Sequence, residues 1–195
     1  MRPTQSPAWR AIETGIQYCE ADDLYNAALN VPEGGTIVEI GSFKGSSTYA
    51  LASGCEGRNV KVYAVDTFMG SPGGPNEWKL IASNYFSDFK ANLRDMIQRG
   101  IVIPCEMSSA GALMIRPKLR PHLLFIDGSH VYEDVLFDLF YWWERVQPNG
   151  VVALHDSTGD PSWHPQVAKA LEVFCEKHGI DSVLLKGSIS WFKKQ

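Results

Sequence analysis

Short runs of apolar residues alternate along the chain with longer segments in which apolar residues recur at helical spacing. Five runs are predicted β-strands, at 36–41, 60–66, 101–104, 123–127 and 151–156. The fourth run is apolar throughout, which is typical of a central strand covered on both faces. Helices are predicted at 9–29, 46–54, 77–99, 131–146 and 165–178, with a short helix after residue 110 and two strands within 182–192. This alternation predicts an α/β fold with a mostly parallel sheet.

The chain is organised around the stretch 36–48, in which the first strand passes through two glycines into a helix. Gly41 permits a backbone conformation closed to other residues, and Gly45 permits close approach where the helix begins. Unpaired N–H groups at the start of that helix predict a site for the carboxylate end of a small molecule. The alternative is an ordinary strand-to-helix turn in which the glycines serve geometry alone.

This turn differs from the G-x-G-x-x-G motif that admits a dinucleotide pyrophosphate. Phe43 and Lys44 fill the turn, and Glu39 stands two residues before the first glycine. An acid at that position repels phosphates but suits a cationic or amine-bearing ligand. Asp66 ends the second strand, one βαβ unit later, where an acid can accept hydrogen bonds from two ribose hydroxyls. A helix N-cap is the other interpretation of Asp66.

Two segments flank the predicted crevice. The N-terminal helical segment, 1–33, either covers the crevice, makes a subunit contact or packs on the sheet. The segment 67–98 combines a glycine- and proline-rich loop with an aromatic helix. It is predicted to form a lid over an organic substrate, with core packing as an equal alternative.

Polar side chains follow two strands that we expect to be neighbours in the sheet. Asp127 follows the fourth strand, and His155 and Asp156 end the fifth. Two carboxylates that meet in one crevice form a site for Mg²⁺ or a similar cation, and a histidine ligand favours a softer divalent ion. His130, three residues after Asp127, is a candidate general base, with His155 or His164 as the next candidates. The alternative is that the aspartates cap helices and that the histidines only pack.

Composition narrows the class of protein. The chain has 195 residues and a net charge of −4, and 45% of its residues are hydrophobic, which predicts one soluble domain spanning 1–195. The acidic balance, with no basic run, argues against a nucleic-acid partner. The four cysteines lie far apart, which favours reduced thiols in a cytoplasmic protein. Neither a signal peptide nor a membrane-spanning segment is predicted.

Four segments carry a resemblance to a known family. They are the glycine turn E-x-G-x-x-x-G at 39–45, V-D-T-F-x-G at 65–70, F-I-D-G-S-H at 125–130 and G-V-V-A-L-H-D at 150–156. In this order and spacing the chain resembles the class I S-adenosylmethionine-dependent methyltransferases. It is most similar to the small O-methyltransferases that include the macrocin and mycinamicin sugar methyltransferases and cephalosporin-hydroxylase-like proteins, with a layout similar to catechol O-methyltransferases.

The resemblance implies a Rossmann-like domain with a mostly parallel seven-stranded sheet and a C-terminal antiparallel hairpin. It implies transfer of a methyl group from S-adenosyl-L-methionine to a hydroxyl of a small-molecule acceptor, assisted by Mg²⁺ or another divalent cation. The implied cofactor-binding residues are Glu39, Gly41, Ser42, Phe43, Gly45, Ser46, Ser47, Asp66, Thr67, Phe68, Ser108, Ser109 and Asp127. The implied metal ligands are Asp127, Asp156 and His155, and His130 stands where the catechol enzymes place a catalytic lysine.

Two departures from the family pattern leave the third metal ligand open. Catechol enzymes follow the second aspartate with asparagine, whereas Ser157 follows Asp156 here. The sugar enzymes have an acid where this chain has His155. Rival functions are a nicotinamide-dependent oxidoreductase and a non-catalytic S-adenosylmethionine-binding module, and a homo-oligomer is compatible with either. An α/β-hydrolase is disfavoured because the chain has no G-x-S-x-G elbow.

Overall fold

A seven-stranded sheet forms the centre of the protein. The computed structural model describes residues 8–70, 85–158 and 163–195. Their strands are β1 (Thr36–Ile40), β2 (Lys61–Asp66), β3 (Val102–Glu106), β4 (Leu123–Ile126), β5 (Val151–Leu154), β6 (Leu184–Lys186) and β7 (Ile189–Lys193). The spatial order is β3-β2-β1-β4-β5-β7-β6. The first five strands pair in parallel, and β7 is antiparallel to β5 and β6. The predicted fold class and its C-terminal hairpin are confirmed.

Helices cover both faces of this sheet. They are α1 (Tyr18–Leu29), α2 (Ser46–Gly54), α3 (Tyr85–Asn92), α4 (Arg94–Gln98), α5 (Ser109–Ile115), α6 (Tyr132–Trp143) and α7 (Pro165–His178). Successive strand residues point to opposite faces. Ile37 therefore packs in a core with α1 to α4, while Val38 packs in a second core with α5 to α7. None of the helices within the described ranges is both long and apolar enough to cross a membrane.

The prediction of one helix over 9–29 is wrong. A short 3₁₀ turn spans Ala8–Ala11, and α1 begins only at Tyr18. The Gln17 backbone N–H donates to a Glu20 carboxylate oxygen at 2.7 Å, which starts the helix at this point. Helix α1 then packs against α2, where a Cβ on Gly54 would lie 2.7 Å from Ala28 Cβ. The helix therefore packs in the core, while residues 13–16 of the loop before it line the cavity.

Two other element predictions need correction. The helix predicted over 77–99 is divided, since α3 ends at Asn92 and α4 begins at Arg94, and its part before Tyr85 lies outside the described residues. The third strand continues to Glu106, beyond the predicted end at 104. Pro104 is tolerated within it because β3 is an edge strand with β2 as its neighbour.

Candidate active site

A cavity of about 820 Å³ opens at the carboxyl ends of the parallel strands. Its lining includes Gly41 after β1, Asp66 at the end of β2, Met107 after β3 and Asp127 after β4. Strand β1 lies between β2 and β4, so the cavity sits where the direction of chain connection reverses, the usual ligand position in open α/β sheets. Its volume lies within the range of small-molecule sites, about 300–1,000 Å³.

The two glycines of the turn serve different contacts. Gly41 has φ +86, and a Cβ there would lie 2.0 Å from the backbone oxygen of Asp127. It therefore lets the ends of β1 and β4 approach while it lines the cavity. Gly45 has φ +91, and its missing Cβ leaves room for Leu93 Cδ1 at 2.8 Å. Gly45 is outside the lining formed by the described residues, so the close approach predicted there is to the segment joining α3 and α4 rather than to a ligand.

Asp66 organises the turn from the end of β2. Its Oδ2 accepts the backbone N–H groups of Ser42 at 2.7 Å and Phe43 at 2.9 Å, and its Oδ1 accepts that of Phe68 at 2.6 Å. These two N–H groups of the turn are therefore paired within the protein, ahead of the start of α2 at Ser46 where unpaired N–H groups are predicted. An ionised carboxylate offers about four acceptor positions, so Asp66 retains capacity for a ligand on the cavity side.

Glu39 is buried beneath the turn and does not line the cavity. Its Oε2 accepts the hydroxyls of Ser42, at 2.8 Å, and Thr48. Burial raises the pKa of Glu39 to about 7, although hydrogen bonds from Thr48, Ser47 and Ser42 act to lower it. The predicted ligand contact of this carboxylate is thus replaced by an internal brace that ties the turn to α2.

The remaining predicted cofactor residues divide between the cavity and the core. Those that line the cavity are Ser42, Phe43, Ser46, Ser47, Thr67, Ser108 and Ser109. Phe68, with φ +55, instead packs against Phe86 and Phe89 with ring centroids 4.7 and 5.0 Å apart. Tyr85, at the start of α3, lines the cavity and contacts the ring of Phe43. The predicted lid thus contributes to both core and cavity, while its central part, 71–84, lies outside the described residues.

The three predicted metal ligands come together. Asp127 Oδ1 is 2.9 Å from His155 Nδ1, and Asp156 Oδ2 is 3.2 Å from the same nitrogen. Asp127 lines the cavity, whereas His155 and Asp156 are buried behind it. Asp156 has φ +55, a conformation that costs energy in a residue other than glycine. These ligand atoms lie within 4.8 Å of one another.

The donor set fits a divalent cation. His155 Nδ1 is buried and makes no hydrogen bond of acceptable geometry within the described residues, despite the two nearby carboxylates. Burial lowers the pKa of His155, but Asp127, Asp156 and Glu20 outweigh it and raise that pKa to about 12. The carboxylates around His155 Nδ1 therefore stabilise a positive charge at that nitrogen. A bound metal ion would supply this charge in place of a proton.

Glu20 is a buried residue of this cluster that the sequence patterns did not reveal. Its Oε2 lies 3.4 Å from His155 Nε2, and its Oε1 accepts the backbone N–H and hydroxyl of Ser188, each at 2.6 Å. Carboxylates that hold the second nitrogen of a histidine commonly orient it toward a metal. The sequence feature that could have indicated Glu20 is an acid four residues after Ile16, on the apolar side of α1.

His130 lines the cavity and pairs with Asp156. Its Nε2 lies 2.9 Å from Asp156 Oδ2, and its ring stacks on His164 at 3.9 Å between centroids. His164 Nε2 is 3.6 Å from the same oxygen, and Trp163 Nε1 donates to Asp156 Oδ1 at 2.8 Å. Burial, followed by the charge of His130, lowers the pKa of His164. His164, a reserve candidate for the base on sequence grounds, thus lies next to His130 in this cluster.

The cavity is acidic. Its described lining contains six carboxylate side chains and neither lysine nor arginine: Glu13, Asp66, Asp127, Glu133, Asp134 and Asp138. A pyrophosphate requires cationic or N–H partners, whereas this lining attracts a cation. The charge distribution therefore disfavours a dinucleotide and favours a positively charged ligand.

Comparison with known proteins agrees with this geometry. The model of the family described as "Methyltransferase domain" matches residues 38–157. The chain belongs to this methyltransferase family. The match spans the glycine turn and ends just after Asp156, so it includes the strand ends that build the site.

Solved structures show the same fold at low sequence identity. The methyltransferase is similar to the calicheamicin methyltransferase CalS11, with 18% identity and a TM-score of 0.71 over 90% of this chain and 77% of that one. The O-methyltransferase NovP is similar with 18% identity and a TM-score of 0.70, over 93% of this chain and 82% of that one. An O-methyltransferase from Bacillus cereus was solved in complex with SAH. It is similar with 14% identity and a TM-score of 0.70, over 100% of this chain and 93% of that one. The predicted class of enzyme, an S-adenosylmethionine-dependent methyltransferase, is confirmed.

Proposed function

We propose that the protein is an O-methyltransferase that moves the methyl group of S-adenosylmethionine to a hydroxyl of a small molecule, assisted by a divalent cation. The observation that carries this proposal is the acidic cavity at the ends of β1, β2 and β4. S-adenosylmethionine bears a sulfonium and an ammonium group, which the carboxylates stabilise. A nicotinamide dinucleotide would meet the same carboxylates with its pyrophosphate, which makes that alternative unfavourable.

The residues around the turn bind and orient the methyl donor. Asp66 faces the ribose hydroxyls with the acceptor capacity that its three backbone hydrogen bonds leave. Gly41, Ser42 and Ser46 line the part of the cavity assigned to the methionine end. The donor supplies an electrophilic methyl carbon when bound. Holding it in line with the acceptor oxygen is the main contribution of these residues, because alignment alone removes a large part of the barrier.

Asp127, His155 and Asp156 would hold the cation, and Glu20 would orient His155. A divalent ion in this position supplies positive charge next to the acceptor oxygen, which lowers the pKa of the hydroxyl. His130 would accept the hydroxyl proton. Asp156 pairs with its Nε2 and fixes the orientation of the ring.

The acceptor is proposed to be a small organic molecule with a sugar or phenol hydroxyl. Support comes from the cavity volume and from the fold neighbours, one of which is named as acting in calicheamicin methylation. Aromatic residues Phe43 and Tyr85 and the loop at 13–16 border the cavity and offer apolar surface to a ring. A single domain over 1–195, with 67–98 as a lid, remains our proposal for the organisation of the chain.

The test is calorimetric titration with S-adenosylhomocysteine and, in parallel, with NAD⁺. We expect the homocysteine compound to bind and NAD⁺ not to bind. Asp66→Ala should weaken the binding by about 1–3 kcal/mol, the cost of losing a buried acceptor. Asp95→Ala, an exposed change on α4, serves as the control. NAD⁺ binding without homocysteine-compound binding would overturn the proposal.

Turnover distinguishes an enzyme from a binding module. Incubation with S-adenosylmethionine, Mn²⁺ or Mg²⁺ and a panel of sugar and phenol acceptors should yield a product heavier by one methylene group. Methylation on carbon or nitrogen alone would contradict transfer to oxygen, and cofactor binding without any methylated product would favour the binding module.

A further inference from the structure

Asp138 is a buried carboxylate in the cavity wall to which neither the metal cluster nor the proton transfer assigns a role. It lies on α6, on the same helical face as Val135, Leu139 and Trp142, and only 5% of its surface is exposed. The side chain nevertheless contributes to the lining of the cavity. An acid on an apolar helix face costs free energy unless a partner compensates for the loss of water.

Two neighbouring side chains hold Asp138 in one orientation. The Ser109 hydroxyl donates to Asp138 Oδ1, and the Ser109 oxygen accepts the indole N–H of Trp142 at 2.7 Å. Ser109 uses its single proton in this way, so its hydroxyl is not a donor for a ligand. Within the described residues, the second carboxyl oxygen of Asp138 is left for a group that enters the cavity.

The position of Asp138 along the crevice identifies that group. The methyl-transfer residues lie after β4, Asp66 lies at the end of β2, and Asp138 lies beyond them beside Met107–Ala110, which follow β3. A ligand with its ribose at Asp66 and its sulfur near Asp127 therefore extends its base toward Asp138. Adenine carries one hydrogen-bond donor on its six-membered ring, the 6-amino group.

We propose that Asp138 recognises the adenine base of the methyl donor by accepting a hydrogen bond from the 6-amino group of that base. This inference rests on the proposed function. Met107 and Phe137 line the cavity beside it and supply apolar surface for the base. Ser109 is then a positioning residue that fixes the carboxyl group through its hydroxyl. Ser109, an implied cofactor-binding residue, then acts on the methyl donor through Asp138 rather than through its own hydroxyl.

The test compares S-adenosylhomocysteine with its 6-deamino purine analogue, in which a hydrogen replaces the 6-amino group and no new donor is created. Calorimetry at pH 8 keeps the Asp138 carboxyl largely ionised, since burial raises its pKa to about 7. The unmodified protein should bind the adenosine compound at least about tenfold more tightly, because the purine analogue leaves the buried carboxylate without its donor. In Asp138→Asn this preference should vanish or reverse, since the Ser109 hydroxyl holds the amide oxygen and the amide N–H group then faces the 6-amino group.

Asp95→Asn is the control, since Asp95 is an exposed carboxylate on α4 that lies outside the described lining of the cavity. It should keep the preference of the unmodified protein. If Asp138→Asn does not fold, Ser109→Ala takes its place and should reduce the preference by loosening the carboxyl group. An unchanged preference in the folded variant would overturn the inference while cofactor binding still supports the proposed function. Failure of the unmodified protein to bind either compound would overturn both.

Discussion

Oδ2 of Asp156 lies within 3.6 Å of nitrogen atoms from three histidines: His130, His155 and His164. One carboxylate thereby connects the proposed base with the proposed metal ligand. Burial acts to raise the pKa of Asp156, but hydrogen bonds from His130 and His155 outweigh it and the pKa is lowered. The group therefore stays anionic at neutral pH. Burial acts to lower the pKa of His155, but the carboxylates around it, Asp156 among them, raise it.

If His130 removes the acceptor proton, His130→Ala should lower kcat by about 10²–10⁴-fold, the usual contribution of a positioned general base. The affinity for S-adenosylhomocysteine should change little, since His130 lies on the acceptor side. Steady-state rates and calorimetry on the same preparations measure both. His178→Gln, a change among Phe174 and Trp143 away from the cavity, is the control. A normal kcat in folded His130→Ala would assign the ring to packing against His164.

Asp138 predicts a loss of stability as the pH rises. Burial raises its folded-state pKa to about 7 against 3.8 for an aspartate in water, although the Ser109 hydrogen bond acts to lower it. The folded state then binds more protons than the unfolded state between these values. Its contribution to the free energy of unfolding should fall by about 2–3 kcal/mol from pH 5 to pH 8. Urea unfolding should show this decline in the unmodified protein and less of it in Asp138→Asn.

The variant comparison isolates one residue, because Glu39 also has a raised pKa and contributes a decline of the same sign. Asp95→Asn should retain the full decline, since Asp95 is an exposed carboxylate on α4. Parallel pH profiles for Asp138→Asn and the unmodified protein would show that the Asp138 carboxyl titrates at its ordinary pKa.

At the scale of elements, the hydrophobic pattern was sufficient to predict the strands and the strand ends that carry the site. A run of apolar residues defines a strand locally, and parallel strands bring their carboxyl ends to one edge. The direction of a side chain is not encoded in this way. Glu39 points into α2 because Ser42 and Thr48 offer hydroxyls there, and Gly45 faces Leu93. The spacing of residues along the chain is the same whether a side chain points into the core or into the cavity, so spacing does not distinguish the two.

The late start of α1 has a similar cause. The Glu20 carboxylate caps the start of the helix. It is also held by Ser188 and His155, which lie more than 130 residues later in the chain. The spacing of apolar residues over 9–29 does not depend on these contacts, so it does not predict where the helix starts. Sequence reasoning therefore found the cluster members that follow strands, named His164 only as a reserve candidate for the base, and missed Glu20, whose position depends on tertiary packing.

The junction of β1 with β4 yields a prediction about Gly41. A Cβ on this residue would lie 2.0 Å from the Asp127 backbone oxygen, and φ is +86. Gly41→Ala should destabilise the protein by about 3 kcal/mol or more, since backbone strain and steric overlap add. Gly57→Ala is the matched control, with φ +73 but no atom within 4 Å of its Cβ, and should cost about 1–2 kcal/mol. Urea unfolding of both variants measures the difference, and equal losses would show that the strand ends separate readily.

At the scale of the whole molecule, the proposed metal cluster connects parts of the chain that are distant in sequence. Asp127 follows β4, His155 and Asp156 follow β5, and Glu20 brings in α1 through His155. Asp156 also contacts Trp163 and His164 before α7. A cation bound here would favour the folded state over the unfolded state, because the unfolded chain does not assemble these ligands.

We therefore expect a divalent cation to raise the melting temperature. At a concentration about 100 times the dissociation constant the gain is about 2.7 kcal/mol, or roughly 5–10 °C for a chain of this size. Mn²⁺ or Co²⁺ should act at lower concentration than Mg²⁺, since His155 contributes an imidazole nitrogen. Treatment with EDTA should reverse the shift and abolish methyl transfer together. Asp156→Asn should lose the shift, whereas Asp22→Asn, an exposed change on α1, should keep it. An equal shift in Asp156→Asn would place the ion elsewhere, and full turnover after exhaustive chelation would leave Asp127, His155 and Asp156 with a structural and proton-transfer role alone.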